Sequence, residues 1–275
     1  GEAQKQYENA LRAQPSYLAA AENLANLMSR QRKYGEAEKA LLRAIKSFPG
    51  DLGLRNRLSS VWLSAGKEKA AEREAKKILK VDERNVGALV NLATVFFRRG
   101  QLELATTVLD RAREFQPGEA LVYSNLGFVY LEQGKKTEAV EAFRKATELR
   151  DDLPEVLNNL GALYVETRDY ESAIQSLQRA LALYPDFAKA FVNLGNAYKG
   201  NKQYAEAAGA YRQAKQLQPG LHAVSYNLGV LHMDNLLPNV ARLARWDKAK
   251  EHLQAYLSNG KLDDEEKKRV EGLIK

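Results

Sequence analysis

The sequence predicts an all-α chain, a solenoid of stacked helical hairpins, and three observations predict it. The chain repeats itself every 34 residues. Within each repeat the apolar residues fall at helical spacings. Glycine, aspartate or proline stands where each helix would have to stop.

The repeat is plainest in the middle. NLGFVYLEQGKKTEAVEAFRKA from Asn125, NLGALYVETRDYESAIQSLQRA from Asn159 and NLGNAYKGNKQYAEAAGAYRQA from Asn193 align without a gap. Steps of 34 give the row Leu24, Leu58, Leu92, Leu126, Leu160, Leu194 and Leu228, each followed by a small residue. Four residues after the first row comes Met28, Trp62, Phe96, Tyr130, Tyr164, Tyr198 or His232. These positions share one side of a first helix. Ala139, Phe143 and Ala146 and their equivalents make a stripe on a second helix, and the small residues let the two helices approach closely. Gly100, Gly134 and Asp169 separate the paired helices, while Pro15, Pro49, Pro117, Pro185 and Pro219 follow the second one, which proline cannot continue.

Taken in order, residues 3–15 match only the second helix of a preceding unit, with Ala3, Tyr7, Ala10 and Pro15 in phase, and read as a half repeat cut from a longer array. Full repeats follow at 18–51, 52–85, 86–119, 120–153, 154–187, 188–221 and 222–261. The second of them departs from the pattern at Arg57, Ser59 and Ala75, which predicts looser packing there; Asp82-Glu83 and Asp151-Asp152 stand where proline is missing. The last repeat carries an insertion near 234–244, because its alanine, due at 241, is met at Ala249 within Trp246-Asp247-Lys248-Ala249. The insertion must form a loop or lengthen the second helix, with Pro238 suited to a first helical position. Residues 262–275 read as a helix capped by Asp263 or Asp264, with Leu262, Val270, Leu273 and Ile274 able to close the end of the stack. One solenoid over 1–275 is the expected organisation.

Composition narrows the function. At 275 residues, with 45 % hydrophobic and 28 % charged residues, the chain has the balance of a globular protein and not of a disordered one. The absence of cysteine excludes disulfides, thiolate metal sites and a thiol nucleophile. No apolar run reaches the roughly 18 residues of a membrane span. Three histidines, His222, His232 and His252, form no metal-binding motif, and His232 lies in a packing row. The phosphate-loop-like Gly195 to Gly200 stretch falls inside a repeat helix, and no serine elbow is present. No enzyme activity, cofactor or metal is expected. The net charge of +7 comes entirely from residues 1–117, with 21 basic and 14 acidic residues against 21 and 21 in the remainder; this is too diffuse for a nucleic-acid binder.

On the Leu126, Gly127, Tyr130, Ala139, Phe143 and Ala146 positions, with Pro185 one unit later, the sequence resembles the tetratricopeptide repeat family over about residues 18–261. The resemblance implies a right-handed superhelix that binds a protein or peptide in a concave groove. The segment NLGVLHMDNLLPNVARLARWDKAKEHLQAYL also looks like the tetratricopeptide proteins of the bacterial adventurous gliding-motility machinery, an envelope-associated assembly.

One polar row recurs without a packing reason: Asn23, Asn91, Asn125, Asn159, Asn193 and Asn227, broken only by Arg57. Asparagine is a weak helix former, so propensity does not account for it. It can be inherited with the repeat and bond a neighbouring helix. Alternatively, as the resemblance implies, it is a ladder that holds the backbone of an extended peptide, since a primary amide both donates and accepts. Phe97, Phe128, Leu131 and Tyr226 share its face and would supply apolar selectivity. Seven residues beyond each asparagine lies Arg30, Ser64, Arg98, Glu132, Glu166, Gly200 or Asp234; if this row faces the groove, the acidic part of a ligand belongs near the early repeats. The row before the asparagines lacks a carboxylate clamp for a chain terminus. Self-association into a homo-oligomer is the alternative function.

Overall fold

The computed structural model describes residues 2–14, 17–234, 242–258 and 262–274, and every regular element among them is an α-helix. In the first of two compact units, Gly1–Leu149, lie α1 (Glu2–Ala13), α2 (Leu18–Arg30), α3 (Tyr34–Ser47), α4 (Leu52–Ser64), α5 (Glu68–Val81), α6 (Val86–Arg98), α7 (Leu102–Phe115), α8 (Ala120–Glu132) and α9 (Lys136–Leu149). The second unit, Arg150–Lys275, holds α10 (Pro154–Glu166), α11 (Tyr170–Leu183), α12 (Ala188–Gly200), α13 (Tyr204–Leu217), α14 (His222–Met233), α15 (Arg242–Leu257) and α16 (Asp264–Ile274).

Each hairpin closes through one repeated turn. Arg32, Gly66, Gly100, Gly134, Arg168 and Lys202, spaced by 34, all have positive φ between 59° and 75°. The next residue reaches back along the chain: Lys33 N–H donates to the Met28 carbonyl at 2.8 Å, and the same bond recurs from Lys67, Gln101, Lys135, Asp169 and Gln203 at 2.8–2.9 Å. This left-handed cap satisfies carbonyls that the end of the helix leaves open. Asp169 serves in addition as the cap of α11, its carboxylate accepting from the Ser172 N–H at 3.2 Å, so the left-handed residue of that turn is Arg168.

Helix pairs α2/α3, α4/α5, α6/α7 and α8/α9 form hairpins in the first unit, and α10/α11, α12/α13 and α14/α15 in the second. The stripe expected on the second helices is sealed: Ala37, Leu41 and Ala44 are at most 3 % exposed, as are Ala139, Phe143, Ala146, Ala207, Tyr211 and Ala214. Close approach explains the glycines opposite. A Cβ on Gly127 would lie 2.4 Å from the Phe143 ring, on Gly161 2.5 Å from Leu177, and on Gly195 2.4 Å from Tyr211. Alanine fits none of these gaps without movement.

The second repeat is not loose. Ser59 is fully buried and its hydroxyl donates to the Ala71 carbonyl at 3.1 Å, while Ala75 is fully buried too. The hydroxyl thus supplies a cross-helix bond where other repeats have bare contact. Arg57 donates from Nε to Glu22 at 3.0 Å and from Nη1 to Asn26 at 3.2 Å, joining α4 to α2. Glu38 of α3 accepts from Lys67 at 2.7 Å and from the Trp62 indole at 2.9 Å, and these bonds hold its carboxyl below the usual range.

In the last repeat α15 begins at Arg242, seven residues before Ala249, whereas α3 begins three before Ala37. Part of the insertion therefore lengthens the second helix by about one turn. Pro238 lies outside the described residues. Ala249 and Leu253 are 1 % exposed, and Leu253 packs where a Gly229 Cβ would be 2.8 Å away. Asp263 caps α16 by accepting from the Glu266 N–H at 2.7 Å, and buried Val270 packs with Tyr226, Leu257 and Leu262.

Candidate functional site

Consecutive first helices pack on one another, α2 on α4, α4 on α6 and α6 on α8 in the first unit and α10 on α12 in the second, while the second helices stand further apart. The first helices therefore line the inner side of each unit. That face carries the asparagine row, one residue before each leucine of the register.

The amides do not share one geometry. Asn91 is only 8 % exposed and its Nδ2 donates to the Asn56 carbonyl at 3.1 Å, fastening α6 to α4. This corrects the sequence expectation of an open amide there: a buried amide satisfied by the adjacent helix has no free face for a ligand. Asn125 is half-buried; its Nδ2 donates to the Leu121 carbonyl one turn back at 2.7 Å, and its Oδ1 accepts from Thr94 at 3.3 Å. Asn159 makes the same turn-back bond, to Glu155 at 2.7 Å. In the second unit Asn193 donates to Asn158 Oδ1 at 2.9 Å, and Asn227 donates to Asn196 Oδ1 at 3.5 Å. Asn23 is exposed on α2.

A primary amide has two N–H donors and two carbonyl lone pairs. Among the described residues, with one N–H used, Asn125, Asn159, Asn193 and Asn227 each keep a second donor, and the last three keep the whole carbonyl. The row therefore combines the two sequence readings. It links neighbouring first helices and still presents amide edges.

The apolar neighbours are half-buried. Phe128 meets Phe143 edge-to-face, with ring centroids 5.0 Å apart at 74°. Phe97 packs against the core around Leu126 and Val129, and Leu131 lies one turn from Phe128 on α8. These three flank Asn125 in the first unit. Tyr226, in the second, stands 5.3 Å from the Tyr256 ring with the Arg269 guanidinium 5.8 Å from its centroid, so α15 and α16 cover much of it. In the charge row, Arg98 donates to the Leu63 carbonyl, and Gly200 makes room for Tyr170, whose ring would be 2.2 Å from a Cβ there. Both positions serve packing between hairpins.

Sequence reasoning missed the partners. Asn56, Asn158 and Asn196 receive or support the row, and Tyr211 donates its hydroxyl to Asn196 Oδ1 at 2.7 Å while fully buried, a burial that pushes its hydroxyl pKa up. A signal existed: Tyr211 brings a hydroxyl to a position that holds Leu109, Phe143 or Leu177 in other repeats. His232 is 7 % exposed and stacks on His252 with centroids 5.6 Å apart. No described helix is long and apolar enough to cross a membrane.

Two family models, each described as tetratricopeptide repeat, match the sequence, one over residues 86–152 and the other over 1–51, 24–85 and 158–222. No curated protein matches in sequence. Among solved structures, that of the APC/C hetero-tetramer Cut9-Hcn1 aligns with TM-score 0.71 at 20 % identity, covering 98 % of this chain and 51 % of that one. PilF of Pseudomonas aeruginosa aligns with TM-score 0.60 at 24 % identity over 80 % of this chain and 93 % of its own. YrrB, described as a TPR protein with an unusual peptide-binding site, aligns with TM-score 0.52 at 18 % identity over 68 % and 96 %. At these identities the likeness is one of fold.

Proposed function

Because the chain belongs to the tetratricopeptide repeat family, we propose that it is a non-enzymatic scaffold that holds an extended segment of a partner protein against its first helices. One observation carries the reading. Half-exposed amides with an uncommitted donor recur on the inner face, beside half-buried Phe97, Phe128 and Leu131 in the first unit. An extended backbone offers alternating donors and acceptors that such amides can meet, and the apolar side chains would select for residue type. Asn125, Asn159, Asn193 and Asn227 are the contributing amides; Asn91 holds the scaffold together. The peptide-binding site described for YrrB is in keeping with this use of the fold.

Affinity capture with the native chain beside the Asn125→Ala/Asn159→Ala/Asn193→Ala variant tests it. Each amide–backbone bond is worth about 1 kcal/mol, so a partner held by the amides of either unit should be captured less by the variant while its helical content stays native. Undiminished retention of the same partner by a folded variant would remove the amide ladder from consideration. Light scattering distinguishes the alternative: a concentration-dependent oligomer that survives the triple substitution favours self-assembly.

A further inference from the structure

The second-helix side of the repeats carries a groove of its own, bounded by two successive second helices and floored by the first helix between them. Between α1 and α3 it holds about 570 Å³, with Leu24 and Met28 on its floor and Glu8, Leu11 and Glu36 on its walls. Between α7 and α9 the same groove holds about 270 Å³, with Leu126 and Tyr130 below and Arg113 and Glu138 beside. The repeat register places the corresponding groove of the last hairpin between α13 and α15, over α14.

There the chemistry changes. The floor residue is His232 in place of Met28 or Tyr130. Arg212 stands where the others have Glu8 and Asp110, and Lys215 where they have Leu11 and Arg113. On α15, allowing for the insertion, Lys248 replaces Glu36 and Glu138, and His252 replaces Ala40 and Ala142. In the other two grooves the wall charges balance, Lys39 and Arg43 against Glu8 and Glu36, and Arg113 and Lys145 against Glu138 and Glu141; here Arg212, Lys215 and Lys248 face Glu251 alone.

The structure brings these groups together. The two imidazoles stack at 21°, and the Nδ1 atom of each is buried with no hydrogen-bond partner. Arg212 and Lys248 act electrostatically on His232, Lys215 and Lys248 on His252, with Glu251 as the opposing charge. Among the described residues, Arg212, Lys215 and Lys248 make no ion pair or side-chain hydrogen bond, unlike Arg150 and Arg269 in the same unit. Unpaired cations gathered around two unsatisfied imidazoles are an arrangement that an anion would relieve.

We propose that the α13/α15 groove is a docking site for an acidic segment of a partner polypeptide, whose carboxylates pair with Arg212, Lys215 and Lys248 over the stacked histidines. Three cations across one helix-wide groove match a short run of Asp or Glu. A phosphodiester backbone draws its affinity from a longer series of contacts. Burial first, and then the surrounding cations, hold both imidazoles below their usual range. A docked carboxylate opposes the second effect, so binding is coupled to proton uptake and strengthens as pH falls below about 6.5. The site is on the second-helix side, so its failure would leave the inner-face reading untouched.

Fluorescence anisotropy of a labelled hexaglutamate peptide on the full chain tests the proposal, with a single-stranded hexanucleotide as a parallel probe. The Lys215→Glu/Lys248→Glu variant should lose roughly tenfold or more in affinity, the scale of one lost charge-assisted contact. The Arg113→Glu/Lys145→Glu variant, with the same charge change in the α7/α9 groove, should stay within about twofold of native. Proton NMR of the native chain needs no substitution: hexaglutamate should shift the His232 and His252 ring signals and raise their titration midpoints. Equal losses in both variants, peptide saturation without movement of those signals, or tighter binding of the oligonucleotide at the same residues would each overturn the proposal.

Discussion

Arg32, Arg168 and Lys202 hold a left-handed backbone that costs a side-chain-bearing residue about 1 kcal/mol and glycine little. Gly66, Gly100 and Gly134 fill the same turn in other repeats. Arg168→Gly should therefore raise stability, by up to about 0.5 kcal/mol once the added freedom of the unfolded chain is subtracted. Gly134→Ala should lower it by about 1 kcal/mol. Urea midpoints at constant slope give the check, and no change in either variant would show that the turn geometry carries no strain. The glycines were legible in the sequence as breakers. The left-handed arginines were not, because a residue's name does not encode φ when surrounding hydrogen bonds impose it.

At the scale of the helix pair, the gap between α12 and α13 is set by Gly195 against Tyr211. Gly195→Ala should cost about 1–3 kcal/mol by overpacking, and less in a Tyr211→Ala background, because the two substitutions share one contact. A double-mutant cycle with no coupling would contradict the packing described. The α14/α15 pair should also respond to acid. Burial depresses both histidines, so the unfolded chain takes up protons more readily; the stability they contribute is complete above their unfolded pKa and is lost as pH falls below about 6.5. Without an anionic ligand, hydrogen exchange of α14 and α15 amides, corrected for intrinsic rates, should show weaker protection at pH 5.5 than at pH 7.5, and His232→Tyr, the residue of the neighbouring repeats, should reduce the difference. An unchanged difference would show that these imidazoles are not the groups involved. The sequence marked His232 as a packing residue correctly, but His252 gained its significance only when α15 was laid beside α14.

Over the whole molecule, helices touch partners that are near in sequence, so stability should be distributed and local opening independent. Val270→Ala on α16, removing a fully buried side chain, should raise exchange in α14 to α16 and leave α2 to α9 protected as in the native chain. A uniform loss of protection would instead mean that the chain opens as one cooperative body. The 34-residue period, the buried alanine and leucine rows and the helical class were determined by the residues alone, because each repeat must bury the same stripe and the period of that stripe is visible along the chain. Tertiary structure decided the rest. Whether an asparagine faces a ligand or a neighbouring carbonyl depends on partners up to 35 residues away, as with Asn91 on Asn56 and Asn193 on Asn158. The cationic groove depends on α13 and α15 flanking α14. A polar side chain takes the partner that packing brings within reach, and one-dimensional spacing does not specify that partner.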